Sequence, residues 1–204
     1  RAVLTRDDHP SGTDRVAEVA SRPEFARYGV VINVQGDEPF VSQDAVVGAA
    51  RIVASGRFPL GTAAAPADPS ILGRPDVVKV VCADDDRALY FSRAPIPFLR
   101  ESADAPTRDS LIRQHIGVYA YTRDALAAWV SLAPHPLEVI ERLEQLRPLA
   151  HGLAMGVARI QSCGPGGIDT EEDLHRAQAH FSTAPQHSFG DEQSPANSPM
   201  SSTL

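Results

Sequence analysis

Residues Val31-Ile32-Asn33-Val34-Gln35-Gly36-Asp37-Glu38-Pro39 join an apolar, mostly β-branched run to a tight acidic turn. A continuous run of this kind predicts a strand buried on both faces, which requires helices above and below a sheet. In open α/β sheets ligands sit beyond the carboxyl ends of the strands. A carboxylate placed there can hold Mg²⁺, and the ion can in turn hold phosphate oxygens. An ordinary Gly-Asp turn uses the same residues. The rest of the chain therefore has to decide between a site and a turn.

Composition narrows the field. A chain of 204 residues with 43% hydrophobic content is long enough for one α/β domain with a sizeable core. The net charge of -7 argues against a broad nucleic-acid-binding face, which needs clustered Lys and Arg. An anionic substrate must then meet a few local cations or a metal. Cys82 and Cys163 are too few and too far apart for a zinc motif or a disulfide scaffold, and read as buried free thiols in a reducing compartment. No apolar run is long enough to span a bilayer, and no signal peptide is expected. The expected location is the cytoplasm. Residues 1–5 already read as the interior of a folded domain.

Hydrophobic patterning predicts short strands at 2–5, 60–65, 77–82, 115–121 and 154–160 beside the one described above, and 88–93 is a further apolar segment ended by Pro95 and Pro97. Alternation at 115–121 places His115, Gly117, Tyr119 and Tyr121 on one face. Helical stripes cover 16–20, 44–55, 123–132 and 137–146, and Ser11 or Thr13 is positioned to cap the first. Thr170 with Asp173 forms a capping box for a last helix. Strands separated by helices predict an α/β fold, a mainly parallel sheet with helices on both faces. The domain is expected to span 1–181. Residues 182–204 are rich in Ser and Pro and read as a disordered tail, because so few apolar residues cannot offset the entropy of ordering.

Seven polar segments stand out in order: His9-Pro10-Ser11-Gly12-Thr13-Asp14-Arg15, Asn33 to Pro39, Val77-Val78-Lys79-Val80-Val81, Leu89-Tyr90-Phe91-Ser92-Arg93-Ala94, His115-Ile116-Gly117-Val118-Tyr119-Ala120-Tyr121, Leu143-Glu144-Gln145-Leu146-Arg147 and Gly167-Ile168-Asp169-Thr170. In this order and spacing the chain closely resembles the 3-deoxy-manno-octulosonate cytidylyltransferase (CMP-KDO synthetase) family, over about residues 2–181. The resemblance implies a nucleotide-diphospho-sugar transferase-like fold. It implies an enzyme that transfers CMP from CTP to the eight-carbon acid sugar 3-deoxy-manno-octulosonate (KDO), releasing pyrophosphate, for lipopolysaccharide assembly in Gram-negative bacteria. The family generally forms homodimers.

The resemblance also implies roles. Asp37 and Asp169 match the carboxylates that hold Mg²⁺ and act in catalysis. Ser11, Gly12, Thr13 and Arg15 match the loop on the cytidine side. Gln35, Arg93, His115, Tyr119, Glu144 and Gln145 match the KDO pocket, with Arg93 suited to the sugar carboxylate. Lys79, inside an apolar strand, needs an anionic partner if buried, which places it in the substrate region. One departure stands beside these matches. The family opens with a first strand and a basic, glycine-containing phosphate loop, and nothing like either occurs in this chain. It reads as starting at the family's third strand and is expected to be nearly inactive alone, since preorganised cations stabilise the transition state by several kcal/mol each, roughly. A pyrophosphate-release assay tests that expectation. The rivals are a cytidylyltransferase for another acid sugar, sialic-acid-like or amino-KDO, and a non-catalytic nucleotide-sugar-binding module.

Overall fold

The structure, a computed structural model, describes residues 1–164, 168 and 171–183. Helix α1 (Gly12–Ser21) leads to strand β1 (Val30–Val34), helix α2 (Gln43–Ala54) and strand β2 (Leu60–Pro66). Strands β3 (Lys79–Cys82) and β4 (Ala88–Ser92) follow, then a short helix α3 (Ala105–Ser110) and the long strand β5 (Arg113–Thr122). Helices α4 (Arg123–Ser131), α5 (Pro136–Glu141) and α6 (Leu146–Ala150), strand β6 (Met155–Arg159) and helix α7 (Glu171–Thr183) complete the order.

β5 organises the sheet. It pairs with β2 on one side and with β1 and β3 on the other, while β4 and β6 lie at the two ends of the main path β4-β3-β5-β2-β6. Alternation along β5 feeds two cores. Ile116, Val118 and Ala120 pack under α2 against Ala45, Ala49 and Val53. Tyr119 and Tyr121 face the other way, toward Leu126 and Trp129 of α4 and Leu146 of α6. α2 lies close on the sheet because Gly61 carries no side chain: a Cβ there would sit 2.6 Å from the Ala49 carbonyl oxygen.

The α/β class and the helices on both faces are as expected, but the strand directions differ. β2–β6 is parallel, whereas β1–β5, β2–β5, β3–β4 and β3–β5 are antiparallel, so the sheet is mixed rather than mainly parallel. Periodicity reports that a strand exists and not which way it runs. The link of residues 83–87 between β3 and β4 is a hairpin turn, far too short for a parallel crossover.

Three further expectations need correction. β1 is not buried on both faces, for Ile32 and Val34 remain 41% and 42% exposed; β5 is its strand partner among the described residues. Residues 2–5 form no strand and are instead tied to α1's end by Arg22, whose guanidinium donates to the Leu4 carbonyl. The helix over 137–146 is two helices, broken at Arg142 in the left-handed conformation (φ 55, ψ 47). At the other end of the chain, α7 runs through Ser182 and Thr183, which composition had assigned to the tail. Residues 184–204 lie outside the described residues, as do Thr170 and the Asp173 side chain of the expected capping box. Cys82 and Cys163 are free thiols, each half-buried rather than fully enclosed.

Candidate active site

A cavity of about 420 Å³ opens where β1 ends. Gln35, Asp37 and Glu38 of the acidic turn form one rim, and His115, Gly117 and Tyr119 of β5 form the floor. Arg142, Leu143, Glu144 and Gln145, between α5 and α6, form the opposite rim, with Arg93 beside them. Residues more than a hundred positions apart therefore share one space.

The acidic turn is pinned to β5 by its backbone. Gln35 N–H donates to the Gly117 carbonyl (3.2 Å) and Glu38 N–H to the Gln35 carbonyl (3.1 Å). Asp37 is left exposed, its carboxylate available to a ligand. Its carbonyl accepts the Ile168 N–H at 2.8 Å, so the chain passes directly against the turn immediately before position 169. Asp169 itself lies outside the described residues.

On the floor, the alternation anticipated for 115–121 puts three rings in a row. His115 lies 5.1 Å from Phe91 and 5.4 Å from Tyr119, centroid to centroid. His115 Nε2 and Thr62 Oγ1 are 2.9 Å apart. The ring keeps an edge open to the cavity but is packed densely enough that burial pushes its pKa down to about 3. It is therefore a neutral hydrogen-bonding group and not a cation. Burial raises the Tyr119 phenol well above its ordinary value and Tyr121 to about 12, so both stay protonated donors.

The break after α5 aims the opposite rim. A non-glycine residue at positive φ is uncommon and tends to persist where surrounding structure holds it. The hold here is Glu138: its carbonyl accepts the N–H groups of Arg142 and Leu143, and its carboxylate takes Arg147 Nε (2.8 Å) and Nη2 (2.5 Å). This fork bridges the two helices with both side chains only 12% exposed. The Arg147 guanidinium holds the Glu138 carboxyl below its usual range. With the turn fixed, Glu144 accepts a hydrogen bond from Thr13 Oγ1 (2.9 Å). Gln145 is 2% exposed, and its Nε2 has no hydrogen-bond partner among the described residues. A buried amide without a partner costs about 1–3 kcal/mol, so a ligand acceptor there would be well received.

Arg93 is oriented rather than loose. Its Nε donates to the Glu141 carbonyl (2.8 Å) and Nη1 to the Pro75 carbonyl (2.9 Å). Lys79 is fully buried, yet among the described residues no carboxylate forms an ion pair with it: Nζ donates to the carbonyls of Arg74, Val77 and Arg93. Burial lowers its pKa. Three carbonyl dipoles do the work expected of a carboxylate, and Lys79 supports the Arg93 backbone instead of lining the cavity.

The α1 start is divided. Ser11 caps the helix, its Oγ accepting from Asp14 N–H (3.3 Å) and donating to the Asp14 carboxylate (2.7 Å). Gly12 is the first helical residue and has open space around it. Thr13 is buried and reaches the cavity wall through Glu144. Arg15 points elsewhere, donating to Thr5 and to the Arg6 carbonyl at the wall of a second cavity. Of the residues named from sequence, Gln35, Asp37, Arg93, His115, Tyr119, Glu144 and Gln145 meet in the first cavity, whereas Ser11, Gly12, Arg15 and Lys79 do not line it.

Two contributors were not anticipated. Glu141 accepts from Ser92 Oγ (2.6 Å) and Arg93 N–H (2.9 Å), joining β4 to α5. Arg142 lines the cavity from its left-handed position. The Glu138, Glu141, Glu144 spacing carried a signal for the first, since three-residue steps share a helix face; nothing in the sequence marked the second.

Comparison with known proteins bears on the family and the fold. The sequence profile of the family described as cytidylyltransferase matches residues 1–157. The chain is 66% identical over 179 residues to a 3-deoxy-manno-octulosonate cytidylyltransferase of Gemmatimonas aurantiaca, covering 88% of this chain and 69% of that protein. It is 47% identical over 189 residues to the protein of that name from Methylococcus capsulatus, covering 89% and 73%. A solved structure of CMP:2-keto-3-deoxy-manno-octonic acid synthetase complexed with CTP superposes with a TM-score of 0.77 at 33% identity, over 89% of this chain and 72% of that one. Sequence identity and fold lead to one assignment: the chain belongs to the 3-deoxy-manno-octulosonate cytidylyltransferase family.

Proposed function

We propose that this chain carries the acid-sugar site of a transferase that moves CMP from CTP to KDO. The supporting observation is that the six residues matched to KDO and the exposed Asp37 line one cavity. In the reaction the anomeric hydroxyl oxygen of KDO bonds to the α-phosphorus of CTP, the hydroxyl proton is lost and pyrophosphate leaves. The chemistry needs alignment and charge neutralisation more than a covalent intermediate.

Each side chain has a task within this reading. Arg93, held by two carbonyls, meets the sugar carboxylate. Tyr119 donates and Glu144 accepts from sugar hydroxyls, neutral His115 supplies a hydrogen-bonding edge, and the unpaired Gln145 amide donates. Asp37 and Asp169 would hold Mg²⁺. The donor set suits a hard cation, because Asp37 is an exposed carboxylate and its own carbonyl accepts the Ile168 N–H. The ion, when bound, screens phosphate charge and favours loss of the hydroxyl proton. Ser11 to Thr13 would meet the cytidine side. A homodimer fits the apolar groups left at the surface on and beside β4 and α5, where Leu89, Phe98 and Ile140 are 50%, 82% and 78% exposed. Among the described residues no helix is long and apolar enough to cross a membrane, and a cytoplasmic location accords with that.

The test is calorimetric titration of the chain with KDO and with a sialic acid. KDO is expected to bind at least tenfold more tightly. Tighter sialic acid binding would transfer the assignment to a sister enzyme, and no binding of either would overturn the sugar-acid reading.

A further inference from the structure

The ladder between β2 and β5 slips at one place. Thr62 pairs with Tyr119, yet the next residue, Ala63, pairs with Ile116, so Gly117 and Val118 bulge out of register. A bulge releases backbone groups from the ladder and re-aims the strand beside it. Three backbone groups at the bulge have partners outside the β2–β5 ladder. Thr62 Oγ1 donates to the Val118 carbonyl (2.8 Å). The Gly117 carbonyl accepts Gln35 N–H (3.2 Å), and the Gly117 N–H donates to Glu38 Oε1 (3.2 Å).

The space above Gly117 is also filled. A Cβ on residue 117 would lie 2.8 Å from Gln35 Oε1, 2.9 Å from Glu38 Cγ and 2.9 Å from Glu38 Oε1. Both side chains of the acidic turn fold into the gap that the missing side chain leaves, between His115 and Tyr119 on the same face of β5.

We propose that Glu38 is a positioning residue whose carboxylate oxygen, seated on the Gly117 amide, fixes Gln35 and Asp37 against the sugar-acid pocket. In this clasp Glu38 acts as a hydrogen-bond acceptor for the Gly117 N–H. The functional half of this inference rests on the sugar-acid reading above; the clasp itself does not.

The experiment compares Glu38→Ala, Glu38→Gln and Gly117→Ala in the 204-residue chain. Three quantities are read: amide hydrogen exchange at Gly117 and Gln35, KDO affinity, and the melting midpoint. Glu38→Ala is expected to speed Gly117 exchange at least tenfold and to weaken KDO binding about tenfold, with the melting midpoint little changed. Glu38→Gln keeps the acceptor and is expected to restore both quantities to near the parent values. Gly117→Ala is expected to weaken KDO binding as Glu38→Ala does.

Equal damage from Glu38→Gln and Glu38→Ala would show that the charge matters and overturn the proposal. Faster exchange with unchanged KDO affinity would reduce the clasp to a structural contact and overturn it also. Unchanged exchange in Glu38→Ala removes the clasp altogether. Should the parent chain bind no KDO, the sugar-acid reading fails by itself, and exchange alone decides whether the clasp exists.

Discussion

Two cavities of nearly equal size lie in this domain, about 420 Å³ beside the acidic turn and about 400 Å³ between α1 and β1. The first is walled by carboxylates, amides, arginines and the β5 ring row. The second is walled mainly by Val3, Val16, Val19, Phe25 and Val31, with Arg15 and Arg123 at its margin. Those arginines are spent on the backbone: Arg123 donates to the carbonyls of Ala20 (2.7 Å) and Phe25 (3.2 Å), and Arg15 to that of Arg6 (2.8 Å). The contrast teaches that volume does not identify a site. What separates the two is a buried, unpartnered polar atom, Gln145 Nε2, and an exposed carboxylate held in place by its own backbone. The apolar space lacks both; the polar one is organised for a ligand.

Asp37→Ala is the hardest blow to this contrast. It should lower transferase turnover by roughly a thousandfold, the equivalent of several kcal/mol of lost charge stabilisation. The melting midpoint should hardly move, because the side chain is exposed. Turnover in the parent and variant of the whole enzyme, with melting curves, checks this. Wild-type turnover would remove the polar cavity from the chemistry.

Gln145→Ala comes next. KDO affinity should fall about tenfold or more, while stability stays level or rises, since an unsatisfied buried amide is removed. Calorimetry and denaturant midpoints read the two effects separately.

Acid sharpens the comparison from another side. Folded His115 stays neutral down to about pH 3, whereas in the unfolded chain it gains a proton near 6.5. Its contribution is therefore complete above about pH 6.5 and is lost as pH falls below that, by at most about 1.4 kcal/mol per pH unit. Glu18, drawn down to about 2 chiefly by His9 and also by Arg22, adds its own loss in the lower window between 4.5 and 2. Denaturant midpoints at pH 7.5 and 5.5 should differ in the parent and converge in His115→Gln.

Val19→Ala carries the smallest expected effect. It enlarges the apolar cavity and should cost about 1 kcal/mol of stability with KDO affinity unchanged. A parallel loss of KDO affinity would break the division between the two cavities.

Much of this was legible in the residues. The face shared by His115, Gly117, Tyr119 and Tyr121 follows from two-residue periodicity, and the Ser11 cap follows from side-chain chemistry. Strand direction was not legible from periodicity, since a strand reads alike either way. The break at Arg142 was hidden because Glu138, Glu141 and Leu146 continue a helical rhythm through a turn that Arg147 and Glu138 lock by a tertiary fork. Lys79 was misread for a related reason: sequence names its charge but not the three carbonyls that converge on it. The segments around Asp37 and Asp169 were recognisable from their resemblance to a family, whereas the β5 bulge under Gly117 required coordinates.

The fork from Arg147 to Glu138 has a consequence for how such a pocket diversifies. Because the staple anchors both flanks of the kink, Arg142 and Glu144, the kink residues that are not buried, can exchange side chains without unhooking either helix. New sugar acids could thus be accommodated by local substitution on an unchanged frame.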